Sequence, residues 1–396
     1  MERVVAGERL RIPRNPVNDH THEGAATRRE FIHKQTGASL SHVAQYSFDP
    51  ATLPGNIENF TGVAQIPLGI AGPLLIHGEH AQGEFYIPLA TTEGTLVSSY
   101  NRGMRLLTES GGVKTTVVED AMQRAPVFVL SDALQARDFG VWVEEHIDAI
   151  RHAAEATTRV GKLRGIDQFA IGPVRHLRFN YTTGDAAGQN MTGRATFAAC
   201  EWIKKNHPLH PKYFLTGNMD TDKKYSQLNM IMGRGKRVVA EAVIRGEVLR
   251  EIMHITADDL VSISDIQATG AFLAGSANNG AHAANALAAL FIATGQDVAN
   301  VAESHAAITY TRALENGDFY WSITLPSLIV ASIGGGTGLA TQRECLEILG
   351  CYGEGKACKF AEICAAVVLA GETSLASAIL HGDWVTAHER FGRNRP

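Results

Sequence analysis

The chain has 396 residues, 45% of them hydrophobic and 19% charged, with a formal net charge of -5. That length and composition allow two or three domains around a sizeable core and exclude extended disorder, while the mild acidity excludes a generally basic nucleic-acid-binding surface. Five cysteines, none in a C-x-x-C pair, exclude a disulfide framework or zinc ribbon and fit a reduced, cytoplasmic setting with no metal site.

Met1 to Val5 opens without a long apolar run, so no secretory leader is expected. Residues 1–50 read as a polar N-terminal extension with a short helix, suited to subunit contacts. From Gly62 to Ala90 the chain is rich in Gly and Pro, with a strand-like run at Phe85-Tyr86-Ile87. Thr91-Thr92 before Glu93 and an apolar run predicts a helix N-terminus. Between 127 and 213 the pattern changes. Val127–Leu130 and His176–Tyr181 read as strands, and Ala133–Thr157 and Met191–Lys205 have helical spacing, which predicts a small α+β unit. Beyond it the pattern predicts long Ala-rich helices separated by Gly-rich loops. Ala271–Thr294 is the most apolar stretch, and its Asn278, Asn279, His282 and Asn285 favour a packed small-residue helix over a membrane span.

Four ionisable residues stand in unusual surroundings. Glu93 lies between Thr and Gly, Lys223 in a turn-rich segment, Asp297 after an apolar helix, and His388 near the C-terminus. Each alone reads equally as a helix-end charge, a solvated lysine, a cap or an exposed histidine, and spacing does not join them. Ile333-Gly334-Gly335-Gly336-Thr337-Gly338 reads either as a flexible turn or as backbone N–H groups for a phosphate or nicotinamide. Neither G-x-G-x-x-G after a strand nor G-x-x-x-x-G-K-[ST] is found, so a nucleotide site here would not be a Rossmann site.

Several rare blocks in order nevertheless resemble the hydroxymethylglutaryl-CoA reductase family, closer to its class I form. They are Glu58-Asn59-Phe60-Thr61-Gly62, Pro67 to Leu74, Pro88 to Gly94, Gly184 to Met191, Asp222-Lys223-Lys224, His282 to Asn285, Gly295-Gln296-Asp297 and Gly334 to Thr337. The resemblance spans about Gly55 to His388. It implies an α+β fold, with a large α-rich domain for the CoA thioester (51–126 and 214–396) carrying an inserted ferredoxin-like α/β cofactor domain (127–213). It also implies NADPH as cofactor, an acyl-CoA substrate, a homodimer or dimer of dimers with shared sites, and no nucleic-acid or membrane partner.

By the same resemblance Glu93, Lys223, Asp297 and His388 form the catalytic set. Lys223 would stabilise the oxyanion, His388 would protonate the leaving CoA sulfur, and Glu93, in a buried setting, would protonate the aldehyde oxygen. Asp297 would be hydrogen-bonded between Lys223 and Glu93. Cofactor contacts fall on Thr158, Arg159, Asp185, Gly188, Asn190, Gly334, Gly335, Gly336 and Thr337. Arg159 is read either as a partner of the 2′-phosphate or as a helix-end charge. Substrate contacts fall on Ser99, Asn101, Arg102, Arg105, Arg124, Thr216, Asp222, Lys224, His282 and Asn285. Departures centre on Ile263-Ser264-Asp265-Ile266-Gln267, where the family carries a lysine for the substrate's free carboxylate, and on Tyr225 after the lysine pair. The readings are therefore reduction of hydroxymethylglutaryl-CoA to mevalonate, reduction of a different acyl-CoA, or a catalytically silent binding protein. Retention of all four catalytic residues argues against the last.

Overall fold

A computed structural model of the chain describes residues 11–276 and 278–381. Helix α1 (His22–Thr36) is opened by the Thr21 side chain, which accepts the Gly24 N–H, and closed by Gly37 in the left-handed region, φ 76°. Strands β1 (Leu68–Gly78) and β2 (Gln82–Ala90) pair as a hairpin, followed by α2 (Leu96–Glu109) and the long β3 (Val113–Arg124). The next block is β4 (Val127–Val129), α3 (Ala133–Glu145), α4 (Ile147–Glu155), β5 (Lys162–Ile171), β6 (Val174–Thr182), α5 (Gln189–Asn206) and β7 (Lys212–Phe214). Then come α6 (Gln227–Met232), β8 (Gly235–Ile244), the short α7 (Gly246–Val248), α8 (Ala257–Leu273), α9 (Ala283–Thr294) and one-turn α10 (Val301–Ser304). Strands β9 (Ile308–Ala313) and β10 (Phe319–Leu328) and helices α11 (Ala340–Ile348) and α12 (Ala357–His381) complete it.

The fold is mixed α/β on a mainly antiparallel sheet, in the order β7-β4-β6-β3-β8-β10-β9. β1 joins β3 in parallel, and β5 joins β6. β3 links two regions: Lys114–Ala121 pairs with β8, and Met122–Arg124 pairs with β6. The main core lies between this sheet and α2, α9 and α12. A second cluster, including Phe128, Phe139, Ile150, Leu177, Phe179 and Ile203, sits inside the β4–β7 block. α12 is long and apolar enough to cross a membrane by length and composition, but 78% of its apolar window is buried within the fold. A helix apolar on every side belongs in such an interior.

Several expected elements differ. The part after residue 213 is less α-rich than expected, because β8, β9 and β10 form the centre and edge of the sheet. Along β8 the residues alternate between buried and outer positions and include Val238, Val239, Val243 and Ile244, strand-forming residues that pair with β3 and β10 although Ala240 and Ala242 favour helix. β5 was not foreseen, and the helix expected over Ala133–Thr157 is two helices meeting at His146. The apolar Ala271–Thr294 stretch is likewise not one helix. α8 stops at Leu273, with Phe272 and Leu273 exposed, and α9 starts at Ala283. The helix after Glu93 begins only at Leu96, behind Thr95 in the left-handed region.

Candidate functional site

Lys223 sits between β7 and α6 in a segment where Asn218, Thr221 and Lys223 have φ of 66°, 53° and 54°. Three side chains in left-handed backbone are unusual and require fixed partners. Asp220, almost fully buried, accepts from Arg124 Nη1 at 2.8 Å and Thr216 Oγ1 at 3.2 Å. The fully buried Arg234 donates Nη1 to the carbonyls of Gln123 and Asp220 and Nη2 to Asp222 at 2.8 Å. Arg124, Thr216 and Asp222 are thus drawn into the frame that shapes the loop, and the exposed Lys224 donates Nζ to the Asp222 carbonyl. Sequence reasoning missed Arg234, although it stands in the Gly233-Arg234-Gly235-Lys236 run.

Lys223 Nζ meets Asp297 Oδ2 at 2.9 Å. Both side chains are more than two-fifths exposed, so the pair orients the ammonium more than it stabilises the fold. Hydrogen bonding to Asp297 holds the Lys223 ammonium above the ordinary lysine value, outweighing partial burial. Asp297 is placed by the end of α9. Gly295 closes the helix with φ 69°, and Asp297 Oδ1 then accepts the Ala299 N–H at 3.1 Å, leaving Oδ2 for the lysine.

Asp297 also lines a cleft of about 780 Å³. Its walls include Gly188, Asn190, and Gly334 to Thr337. Gly334 and Gly335 have φ of 84° and 56°, and a Cβ on either would meet nothing within 4 Å. Their backbone is therefore open to a ligand. Gly188 (φ 79°) precedes α5, whose N-terminus has no side-chain cap and so offers free N–H groups to an anion. Asp185 turns elsewhere. Its carboxylate accepts from Gly355 N, Ala357 N and Ser332 Oγ, tying this block to the start of α12. Burial pushes that carboxyl up, but the backbone N–H groups hold it below the usual value. The Thr158-Arg159 loop packs beside the cleft: a Cβ on Gly161 would lie 2.3 Å from Met191 Sδ, and one on Gly184 2.9 Å from Val160 Cγ1. Thr158 Oγ1 accepts the Gly161 N–H, and Arg159 is exposed. Open glycine backbone and an uncapped helix N-terminus lining one cleft fit a phosphate-bearing dinucleotide.

Glu93 is found at the other end of α9. It is exposed, not buried as expected, and Asn285 Nδ2 donates to both its oxygens at 3.2 Å. Among the described residues it makes no hydrogen bond to Lys223 or Asp297, so within one chain Asp297 does not bridge the two. The reason is geometric: Asn285 and Thr294 are separated by about 14 Å of helix at 1.5 Å per residue. Next to Asn285, His282 stacks on Tyr100 with ring centroids 5.0 Å apart. Burial pushes its imidazole down to about 4. Its backbone N–H, with that of Ala281, is taken by the buried carboxylate of Glu372 on α12. Glu372 was not foreseen, since nothing around it in sequence separates it from a solvated helix charge.

The α2 candidates face α12 and β1. Ser99 Oγ lies 3.0 Å from Ser374 Oγ, Arg102 donates to Ser374 Oγ and its carbonyl, and Asn101 Oδ1 accepts the Gly72 N–H. Arg105 pairs with Glu109 on the exposed face. Asn101, Arg102 and Arg105 share a cavity of about 350 Å³. His388 lies outside the described residues.

The model of the Hydroxymethylglutaryl-coenzyme A reductase family matches residues 24–393. The 3-hydroxy-3-methylglutaryl-coenzyme A reductase of Pyrococcus horikoshii is 45% identical, covering 95% of this chain and 93% of that protein. The enzyme of the same name from Aeropyrum pernix is 46% identical, covering 94% and 90%. Among solved structures, the class II 3-hydroxy-3-methylglutaryl-CoA reductase of Streptococcus pneumoniae bound to NADPH superposes with a TM-score of 0.68 at 19% identity. It covers 90% of this chain and 97% of that one, a likeness of fold.

Proposed function

The chain belongs to the hydroxymethylglutaryl-coenzyme A reductase family, and from that premise we propose that it reduces (S)-3-hydroxy-3-methylglutaryl-CoA to mevalonate. The balance is one thioester, two NADPH and two protons giving mevalonate, two NADP⁺ and free CoA. The observation that carries this is the Lys223–Asp297 pair at 2.9 Å, with Asp297 lining the cleft between Gly188 and Gly334–Thr337.

NADPH supplies the hydride for each reduction. Gly188, Asn190 and Gly334 to Thr337 would hold it, with Thr158 and Arg159 toward the 2′-phosphate and Asp185 bracing the wall behind. The Lys223 ammonium faces the thioester oxygen as it becomes an oxyanion, and Asp297 keeps it charged and aimed. His388 would give a proton to the departing sulfur, and Glu93, steadied by Asn285, would give one to that same oxygen when the resulting aldehyde takes the second hydride. Arg124, Thr216, Asp222 and Lys224 shape the acyl side, and His282, Asn285, Ser99, Asn101, Arg102 and Arg105 the remainder of the thioester. The 127–213 block, with its own hydrophobic cluster, is read as the inserted ferredoxin-like cofactor domain between the two halves of the large domain, 51–126 and 214–396. Glu93 and Lys223 at opposite ends of α9 call for a second copy of the chain to complete each site.

A second reading changes the acyl group. The segment without the family's lysine lies on α8. Ser264, Asp265 and Gln267 there line a cavity of about 220 Å³ that also includes Glu372 and has no lysine or arginine among its described lining. A carboxylate is disfavoured beside such groups. Steady-state reduction of hydroxymethylglutaryl-CoA and of acyl-CoAs lacking the carboxylate, each with NADPH and with NADH, tests both readings. Mevalonate formed with a micromolar KM and strong discrimination against the others supports the first. Preference for an uncharged acyl group supports the second, and no turnover with any of them refutes both.

A further inference from the structure

Lys223 is gripped at both ends by one short stretch of chain. Residue 297, at the start of the stretch, takes the ammonium: Asp297 Oδ2 lies 2.9 Å from Nζ. Residue 303, near its end, takes the backbone: Glu303 Oε1 accepts the Lys223 N–H at 3.0 Å. Between them the 3-10 turn Val298–Asn300 and α10 form a rigid link, capped by Asp297 itself. Glu303 is about 1% exposed, and the same Oε1 also accepts from Asn300 Nδ2 at 3.0 Å and from Arg234 Nε at 3.3 Å. Asn300 in turn receives Gln189 Nε2 from the block that lines the cleft. Glu303 Oε2 is buried and has no partner among the described residues.

Burying a carboxylate whose second oxygen has no partner is costly, and a site retains such a group where geometry needs it. Here the need is the backbone of Lys223. A lysine at φ 54° sits in a region that side chains with a Cβ rarely occupy and keeps it only when surrounding contacts over-determine it. With extended backbone at this position, Nζ would leave Asp297. We propose that Glu303 is a positioning residue for the reduction: by accepting the Lys223 N–H it holds the left-handed turn that brings the ammonium to Asp297. Arg234 is the other half of the device. Its guanidinium joins Glu303 to Asp222 and to the Asp220 and Gln123 carbonyls, so the lysine loop and the 297–303 stretch move as one body. The role of Lys223 in turnover rests on the functional reading above; the grip on its backbone does not.

The test therefore reads Lys223 directly. The whole enzyme, free of substrate, is treated briefly with an amine-acylating reagent, and labelling at Lys223 is measured by mass spectrometry against its neighbour Lys224. E303Q keeps an oxygen acceptor and removes the charge, whereas E303D keeps the charge and withdraws the oxygen by one methylene. In E303D and E303A, labelling of Lys223 relative to Lys224 should rise severalfold, because an ammonium that leaves Asp297 loses the partner that holds it protonated. kcat should fall in parallel while KM for NADPH stays near that of the parent, and E303Q should recover most of both effects. Thermal melts identify any variant that does not fold. If E303A is lost that way, E303D and E303Q still oppose each other. Unchanged Lys223 labelling in E303D overturns the proposal, as does an E303Q that behaves like E303D. If labelling responds as expected while K223A keeps normal turnover, the catalytic reading of Lys223 fails and the grip on its backbone stands.

Discussion

At the scale of single residues, Lys223 and His282 are opposite uses of a base. Lys223 is half exposed and kept charged by Asp297. A cation beside a developing oxyanion is typically worth roughly 10²–10³ in kcat, so K223A should lose at least that much while melting near the parent temperature. Near-normal kcat in K223A would remove the lysine from the mechanism. His282 is kept neutral, its value pushed by burial from 6.5 to about 4. A depressed folded value means that the unfolded chain binds the proton first as pH falls. Stability is therefore lost between about pH 6.5 and 4, by up to about 3 kcal/mol. Urea unfolding at pH 7 and pH 4.5 should show a larger drop for the parent than for H282Q, whose side chain cannot take the proton. Equal drops would mean that His282 does not titrate in that window. Lys223, Asp297, Glu93, Asn285 and His282 were legible in the sequence because they stand in rare blocks. Arg234, Glu303 and Glu372 were not, because each acts on backbone N–H or C=O groups distant in sequence, and a buried charge looks like a surface charge until the chain is folded.

At the scale of elements, the site depends on how closely α2 meets α12. A Cβ on Gly103 would lie 1.9 Å from the Ala370 carbonyl oxygen, so the two helices touch backbone to backbone. G103A must push them apart in a packed interior, an overpacking that costs about 1–3 kcal/mol. The parent should melt several degrees higher than G103A, and an unchanged melting temperature would show that the crossing has slack. Because Ser99 and Arg102 reach Ser374 across this same crossing, and Glu372 holds the start of α9 from α12, activity should fall with stability. α1, β2, β4, β6 and α5 could be read locally, since each carries its own cap, alternation or helical spacing. The sheet centre could not. β8, with Val238, Val239, Val243 and Ile244 beside Ala240 and Ala242, lies in a part of the chain that reads as Ala-rich helices, and the break between α8 and α9 falls among Gly275, Asn278, Asn279 and Gly280, which read as part of one packed helix.

At the scale of the whole molecule, α9 holds the two ends of the proposed catalytic set apart within one chain. Glu93 is anchored at its first turn through Asn285, while Asp297 and Lys223 lie beyond its last. About 14 Å of helix lies between Asn285 and Thr294, more than the hydrogen-bonding reach needed at one carbonyl. A two-fold assembly resolves this if the Glu93 end of one copy meets the Lys223 end of the other, since each interface then presents both pairings. The arrangement can be tested with two inactive variants. E93Q and K223A, co-expressed with different tags and purified through both, give a mixed dimer. In one of its sites both altered residues meet, and in the other both native residues meet. The mixed dimer should show about half the parent activity per dimer, and random one-to-one mixing about one quarter. Either variant alone should be nearly silent. If the doubly purified dimer is as silent as its parents, Glu93 and Lys223 act within one chain, and the helix must then bend or the loops close to bring them together.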